Sequence, residues 1–149
     1  MKFSMTSEYA VRALIYLSTV QPRKVTHISD ISKEQDIPET LLRKIMGQLV
    51  KLGFVWSSRG KGGGVMLAKP GDTISLLDVI QGIEGQINLN QCLIDDKHCT
   101  QTPYCAVRKV WQQAQDQMTS ILKEKSIHDL ANESTKNYLE FSQNKLVLN

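Results

Sequence analysis

Residues 53–71, GFVWSSRGKGGGVMLAKPG, decide the fold of this chain. An apolar run at 54–56 is followed by a segment rich in serine and glycine, and a second apolar run at 65–68 ends at a Pro-Gly pair. This pattern predicts a β-hairpin, because short apolar runs bounded by glycine and proline are typical of strands. The tip glycines let the backbone approach a ligand closely, and Arg59 and Lys61 give the tip positive charge.

Three helical patterns precede the hairpin. The first spans residues 6–20, and the second is a short helix for which Thr26 is the predicted N-cap. After a tight turn, the third begins at Pro38 and ends at Gly53. The three- and four-residue spacing of its apolar side chains predicts one buried stripe, formed by Leu41, Leu42, Ile45, Leu49 and Leu52.

Two short helices, a turn, a third amphipathic helix and a basic hairpin are the elements, in order, of a winged helix-turn-helix. In that fold the third helix enters the major groove of double-stranded DNA and the wing lies along the neighbouring phosphates. A solvated surface helix has the same charged face, so this face alone does not establish DNA binding. The predicted contacts are Thr40, Arg43, Lys44 and Gln48 to base edges, and Arg59, Lys61 and Lys2 to phosphates.

The distribution of charge agrees with a DNA-binding protein. Residues 1–74 carry eleven Lys and Arg against six Asp and Glu, a net charge of +5, whereas residues 75–149 carry seven against nine, a net charge of −2. The basic half is therefore the part expected to contact a polyanion. The sequence contains none of the common hydrolase, nucleotide-binding or metalloprotease signatures, so we expect that the protein is not an enzyme.

A long helix is predicted over residues 103–125, with Thr102 as its N-cap. We expect its apolar stripe to pair with the same helix of a second subunit, because winged-helix proteins commonly bind paired half-sites of a palindromic operator as dimers. Packing of the stripe on its own domain is the alternative. The stripe consists of Val107, Val110, Trp111, Ala114, Met118, Ile121 and Leu122.

All three cysteines lie in one polar segment, CLIDDKHCTQTPYC, residues 92–105. None of their spacings is the CxxC of a zinc ribbon or a thioredoxin site, and an odd count leaves one thiol over in any disulfide scheme. Three clustered thiolates favour a soft metal centre, and an iron–sulfur cluster held by Cys92, Cys99 and Cys105 is the leading interpretation. The alternatives are zinc with His98 as fourth ligand, a redox-switch disulfide, and three structural cysteines without metal.

Hydropathy and the N-terminal segment predict the compartment. No apolar run approaches the roughly eighteen residues of a membrane span, and MKFSMTSEYAVRALIYL lacks the features of a secretory signal. We therefore expect a cytoplasmic protein without a membrane partner. A reducing compartment favours metal ligation or redox sensing by the thiols over stable disulfides.

These motifs resemble the IscR and NsrR family of bacterial winged-helix regulators. The resemblance covers roughly residues 1–133 and rests on TSEYAVRALIYL, HISDISKEQ, the wing RGKGGG, the three cysteines and SIHDLA. It implies a homodimer that binds an iron–sulfur cluster through the cysteines and regulates transcription according to the state of the cluster. Nitric oxide, redox state and iron or cluster supply are the signals that such a protein would sense.

The resemblance leaves the fourth cluster ligand to be identified. The IscR branch has a histidine three residues after the last cysteine, whereas this chain has Arg108, which cannot act as a ligand. The NsrR branch has an acidic residue just before the aromatic residue of the first helix, and here Glu8 precedes Tyr9. The resemblance thus implies Glu8 of the partner subunit as fourth ligand, with His98 as the alternative, and a [4Fe-4S] rather than a [2Fe-2S] cluster.

The predicted fold class is mainly α with a small β-hairpin, a winged helix-turn-helix DNA-binding domain plus a long dimerisation helix. The expected boundaries are 1–84 for the DNA-binding domain, 85–105 for the cysteine loop and 106–149 for the dimerisation helix and C-terminal tail. Capping boxes at Ser75-Asp78 and Ser126-Asp129 predict the starts of two short helices. The tail after residue 134 either extends the last of these helices or frays.

Overall fold

The structure, a computed structural model, describes residues 2–147. These residues form six helices and one two-stranded antiparallel sheet, as the sequence predicts for a winged helix-turn-helix. No helix among them combines the length and the apolar character needed to cross a membrane. In chain order the elements are α1 Met5–Thr19, α2 Ile28–Gln35, α3 Glu39–Lys51, β1 Val55–Ser58, β2 Gly64–Leu67, α4 Leu76–Glu84, α5 Ala106–Glu124 and α6 Ile127–Val147.

The main core lies between α1 and α3 and is closed by α2, the hairpin and the start of α6. Apolar side chains recur every three or four residues in α1 and α3, so each helix presents one stripe to the other. One predicted member of the α3 stripe is wrong, since Leu52 is 39% exposed. Leu52 is instead the C-cap of α3, where the chain leaves the helix. The buried members are Ala10, Ala13, Leu14 and Leu17 in α1, and Leu42, Ile45, Met46 and Leu49 in α3.

The turn between α2 and α3 has the geometry of a helix-turn-helix. Asp36 ends α2 in the left-handed conformation with φ of 50°, and Ile37 is buried directly after it. Such a residue reverses the chain within one step, which brings α3 across α2. Pro38 is the N-cap of α3 rather than its first helical residue.

The predicted N-cap of α2 is wrong. Thr26 makes an isolated bridge with β2, in which its N–H donates to the Val65 carbonyl at 2.9 Å and the Val65 N–H donates back at 2.8 Å. The Thr26 hydroxyl is buried without a partner, and His27 takes the cap position without a side-chain bond. The pairing with a distant strand therefore replaces the local cap, and it attaches the wing to the segment before α2.

The wing is the hairpin of β1 and β2, with Val55 opposite Leu67 and Ser58 opposite Gly64. Gly60 and Gly62, between the strands, have φ of 90° and 84°. These are left-handed values that glycine adopts without steric cost, so the tip needs glycine there.

Both predicted capping boxes are confirmed. The Asp78 N–H donates to the Ser75 hydroxyl at 3.0 Å, and the Asp129 N–H donates to the Ser126 hydroxyl at 3.0 Å. The predicted cap at Thr102 is wrong, because residues Thr102–Tyr104 form a 3₁₀ turn and α5 begins three residues later than expected.

The last helix joins the core at its start and continues well beyond it. Ile127 is fully buried and Ala131 is 2% exposed, while most of the later side chains are exposed. Ile127 N–H donates to the Ile74 carbonyl at 2.9 Å, which ties α6 to the segment before α4. The tail thus extends the helix to Val147, and residues 148–149 of the predicted C-terminal segment lie outside the described residues. The three domain boundaries stay a prediction.

Candidate metal centre and nucleic-acid interface

The candidate base-reading face is the exposed side of α3. The helix buries one stripe against α1, and this leaves Thr40, Arg43, Lys44 and Gln48 exposed on the surface. Their assignment to base edges stays a prediction.

Arg43 is the base-reading candidate with a charged partner in the chain. Its Nε donates to Glu39 Oε1 at 3.1 Å across one helical turn, with the two side chains 60% and 42% exposed. An exposed pair of this kind contributes about 0 to 1 kcal/mol, whereas a bidentate base contact discriminates by about 1 to 3 kcal/mol. The Arg43 guanidinium can therefore exchange Glu39 for a base at little cost.

The phosphate candidates are also exposed. Arg59 and Lys61 lie in the wing tip and Lys2 precedes α1. The Gly63 backbone is packed tightly against the tip, since a Cβ there would lie 2.4 Å from the Ser58 carbonyl oxygen. The tip thus holds two cations on a compact turn, a geometry suited to phosphates.

The cysteine loop between α4 and α5 contains little regular structure, only 3₁₀ turns at Gln91–Leu93 and Thr102–Tyr104. Cys105 is the N-cap residue of α5 and so lies just before the helix rather than in its first turn. All three thiols are free; Cys99 is exposed, and Cys92 and Cys105 are half-buried.

Within residues 2–147 of one chain, no three His, Cys, Asp or Glu side chains are grouped closely enough to hold a metal ion. The three cysteines of the predicted ligand set are thus apart in the single chain, and their assignment stays a prediction. The donor chemistry nevertheless fits an iron–sulfur cluster, because thiols are the usual ligands of such clusters and this loop carries three free ones. The loop contains only two short 3₁₀ turns, so no α-helix or strand would have to break for the thiols to converge.

The candidate fourth ligands are both exposed. Glu8 lies in the first turn of α1. His98 lies in the loop, where its backbone N–H donates to the Asp95 carbonyl at 3.1 Å. Neither the position of Glu8 nor the backbone bond of His98 identifies a metal ligand, so both assignments stay predictions.

The start of α1 is bonded by Glu84, the last residue of α4. Its Oε1 accepts hydrogen bonds from the Ser4 N–H at 2.8 Å, the Ser4 hydroxyl at 2.6 Å and the Ser7 hydroxyl at 2.6 Å. The bonds from the Ser4 and Ser7 side chains, followed by that from the Ser4 backbone, lower the pKa of the Glu84 carboxyl below its usual range. The carboxylate thereby ties the first turn of α1, which contains Glu8, to the residue that precedes the cysteine loop.

The candidate dimer face is the apolar stripe of α5. No residue of this helix is buried; Val107 is 50%, Val110 54% and Ile121 60% exposed. Met118 and Leu122 pack partly against α4 residues Leu77 and Ile80. The far end of the stripe thus packs on its own chain, and the remainder is left open to solvent, as expected for a helix that pairs with a second subunit.

Two residues of the site were missed by sequence reasoning. Glu84 was not recognised because its partners, Ser4 and Ser7, are about eighty residues away in sequence. Gln115 was not recognised because its partners, Ile87 and Leu89 at the start of the cysteine loop, are 28 and 26 residues away in sequence. A signal was available only for Arg108, whose spacing of three from Cys105 places it one helical turn after the loop.

Comparisons with known proteins agree with this architecture. The family model Rrf2, described as an iron-dependent transcriptional regulator, matches residues 3–133. The HTH-type transcriptional regulator NsrR of Bacillus licheniformis is 31% identical over 131 residues, which cover 87% of this chain and 92% of that protein. The global cysteine regulator CymR of B. subtilis superposes with a TM-score of 0.77 at 26% identity, covering 89% of this chain and 98% of that one. IscR of T. potens superposes with a TM-score of 0.71 at 22% identity over 90% and 88% of the two chains, a likeness that shows the fold alone.

Proposed function

The chain belongs to the Rrf2 family of transcriptional regulators, and from this premise we propose that an iron–sulfur cluster controls its binding to DNA. In this proposal the protein is a homodimer that binds a palindromic operator. Cys92, Cys99 and Cys105 hold the cluster, with Glu8 of the partner subunit as fourth ligand or His98 in its place. The cluster supplies iron sites that respond to nitric oxide, redox state or iron supply.

One observation carries the proposal. All three thiols of the chain are free and lie on one loop, and the last of them is the N-cap of the candidate dimer helix. The loop is therefore directly continuous with the helix expected to join the two subunits, so a change in the loop can act on that helix. The 31% identity to NsrR over most of both chains and the iron-dependent family support this assignment.

The decisive experiment is the visible spectrum, with iron and sulfide content, of protein purified without oxygen. We expect a coloured protein with both elements, and loss of colour in Cys92→Ser, Cys99→Ser and Cys105→Ser. A colourless protein would favour the zinc-bound or metal-independent alternative, and the metal content would distinguish between those two.

The fourth ligand is tested by Glu8→Gln. This change keeps the size of the side chain and removes its charge, so helix packing is preserved. We expect faster loss of the cluster and an altered spectrum, because a charged carboxylate is replaced by a neutral amide, which is a poorer ligand. If spectrum and retention are unchanged, His98→Ala becomes the next variant.

The two parts of the DNA interface make different predictions. Arg43→Ala is expected to cost about 1 to 3 kcal/mol on the operator and to relax specificity at one position. Lys61→Ala is expected to weaken binding to specific and to random DNA alike. It should also reduce the slope of log binding constant against log salt concentration by about 1. Equal losses on both DNAs for Arg43→Ala would assign it to phosphates.

A thiol switch is the second candidate function. Its support is that the three thiols are free and Cys99 is exposed, together with the likeness to CymR at 26% identity, a regulator of cysteine in its own organism. This alternative predicts that a mild oxidant changes operator affinity when iron is absent and that a reductant restores it.

A further inference from the structure

Three side chains on one face of α5 bond the first half of the cysteine loop. Trp111 and Gln115 follow Arg108 by three and seven residues, which places all three along one side of a helix. We refer to them as the α5 ladder, and to residues 87–96 as the loop arm. The arm begins shortly after α4 and contains Cys92, the first of the three cysteines.

Gln115 holds the start of the loop arm through both ends of its side-chain amide. Its Oε1 accepts from the Leu89 N–H at 2.8 Å, and its Nε2 donates to the Ile87 carbonyl at 3.0 Å and to Asn88 Oδ1 at 3.0 Å. Ile87 is itself buried in a small apolar cluster with Leu77 and Ile80 of α4. The start of the arm is thus fixed between α4 and α5.

Trp111 connects the arm to the candidate dimer face. The orientation of the Asn90 amide is assigned from its neighbours, a carbonyl on one side and an indole N–H on the other. In that orientation the Trp111 indole N–H donates to the Asn90 side-chain oxygen at 3.0 Å, and the Asn90 amide nitrogen donates to the Leu89 carbonyl at 3.0 Å. The Trp111 side chain is also 39% exposed within the apolar stripe of α5. One side chain therefore contacts the loop arm and also contributes to the surface expected to face the second subunit.

Arg108 holds the far end of the arm, at the cysteine itself. Its Nε donates to the Cys92 carbonyl at 3.1 Å, and its Nη2 pairs with Asp96. The guanidinium thus bonds the loop within the 3₁₀ turn Gln91–Leu93 and again after that turn, at Asp96. Arginine suits this place because its planar fork can bond two acceptors at once.

We propose that Arg108, Trp111 and Gln115 are positioning residues that fix the loop arm, and with it Cys92, in register on the dimer helix. Each of the three bonds a different part of the arm, so the arm cannot slide along α5 without breaking several bonds. A rearrangement of the cysteine loop therefore acts on α5 through these contacts, in addition to the chain connection at Cys105. The anchoring stands on the contacts alone, whereas its regulatory consequence rests on the proposed function.

The anchoring is tested by thiol labelling of the full-length protein, reduced and treated with a chelator. Iodoacetamide modification of each cysteine is followed by mass spectrometry. In Arg108→Ala and Gln115→Ala we expect the rate at Cys92 to rise roughly three- to tenfold, the change that loss of one or two net hydrogen bonds produces. Cys99 is already exposed, so its rate is the internal reference and should change much less.

Matched variants separate anchoring from general destabilisation. Gln113→Ala changes an exposed glutamine of the same helix and should leave the Cys92 rate unchanged. Trp111→Phe removes the N–H donor but keeps a ring, and should give an intermediate rate. Arg108→Lys keeps the charge but loses the planar guanidinium that bonds two acceptors. Cys92 should therefore be labelled more slowly in Arg108→Lys than in Arg108→Ala, but faster than in wild type. Unchanged labelling of Cys92 in both alanine variants, with circular dichroism showing intact helices, would overturn the proposal.

The regulatory consequence has its own measurement. Operator affinity is determined with and without the cluster, and the ratio of the two affinities is compared between Gln115→Ala and Gln113→Ala. We expect the ratio to shrink towards one only in Gln115→Ala. If the wild-type protein binds the operator equally well with and without the cluster, the proposed function fails. The labelling result still decides the anchoring in that case. If Gln115→Ala raises Cys92 labelling and keeps the full ratio, the ladder anchors the arm but does not transmit its state, and the regulatory half is wrong.

Discussion

Glu84 offers the sharpest test of how α1 is held in place. The carboxylate accepts three hydrogen bonds from Ser4 and Ser7 at the start of α1. Ser4 is exposed and its groups can turn to water when the carboxylate is removed. Ser7 is 1% exposed, so its hydroxyl would lose its partner inside the protein.

The magnitude follows from this difference. An orphaned buried hydroxyl costs about 1 to 3 kcal/mol, and the exposed bonds add a smaller amount, so Glu84→Ala is expected to lower the free energy of unfolding by about 2 to 3 kcal/mol. At about 2 to 4 °C per kcal/mol for a chain of this size, the melting temperature should fall by roughly 5 to 10 °C. Glu84→Gln keeps an acceptor in place and should cost only about 1 kcal/mol, the loss of charge assistance.

The pH dependence gives the test a sign. The pKa of Glu84 is lowered in the folded protein from an ordinary value of 4.5. Its contribution is therefore fully present above that value and is lost as the pH falls through the lowered pKa of the folded state. The difference between wild type and Glu84→Gln should accordingly shrink when urea unfolding is repeated at about pH 3.5 instead of pH 7, at fixed protein concentration.

A matched control is Glu133→Ala, which changes an exposed glutamate of α6 and should stay within about 0.5 kcal/mol of wild type. Equal stability of Glu84→Ala and Glu133→Ala would refute the reasoning. A difference between wild type and Glu84→Gln that is constant with pH would contradict the role of the charge.

Three further predictions concern the wing, the core and the dimer. Gly64→Ala places a Cβ 2.4 Å from the Thr26 carbonyl oxygen, so it should break the bridge between Thr26 and Val65 and lower the free energy of unfolding in urea by about 2 to 3 kcal/mol. Gly62→Ala, where a Cβ meets open space but φ is 84°, should lower it by about 1 to 2 kcal/mol from backbone strain alone. Ile127→Ala should cost about 2 to 5 kcal/mol, because its side chain is fully buried in the main core. Val110→Lys, on the exposed stripe of α5, should give a monomer by light scattering without loss of helical circular dichroism.

Local patterns predicted most of the fold. The helices, the hairpin and both capping boxes depend on residues a few positions apart, so their signals are complete within a short window. The two predicted caps that failed, Thr26 and Thr102, have the right residue type at the wrong place. At Thr26 the reason is a strand pairing with Val65, a contact between distant parts of the chain that no local pattern contains.

The candidate site could be predicted only in part. Composition placed the cysteines, the basic wing and the apolar stripe of α5, because each is a local concentration of one kind of side chain. The contacts that position these features join distant residues, such as Glu84 with Ser4 or Gln115 with Leu89. The proposed second subunit would add contacts that a single sequence does not specify, and the ligand set stays a prediction.

The cysteine loop is fastened at one end to α1, through Glu84, and along its arm to α5, through the ladder. These two helices lead in different directions: α5 to the candidate dimer face, and α1 into the core that supports α3. Because Leu14 of α1 and Leu42 of α3 are fully buried in the same close-packed cluster, the core cannot absorb a shift of α1 by compressing. We therefore expect a rearrangement of the loop to move α3 relative to its counterpart in the second subunit. In the proposed dimer, the distance between the two α3 helices has to match the spacing of the two half-sites of a palindromic operator, so a small shift at the loop would suffice to change affinity.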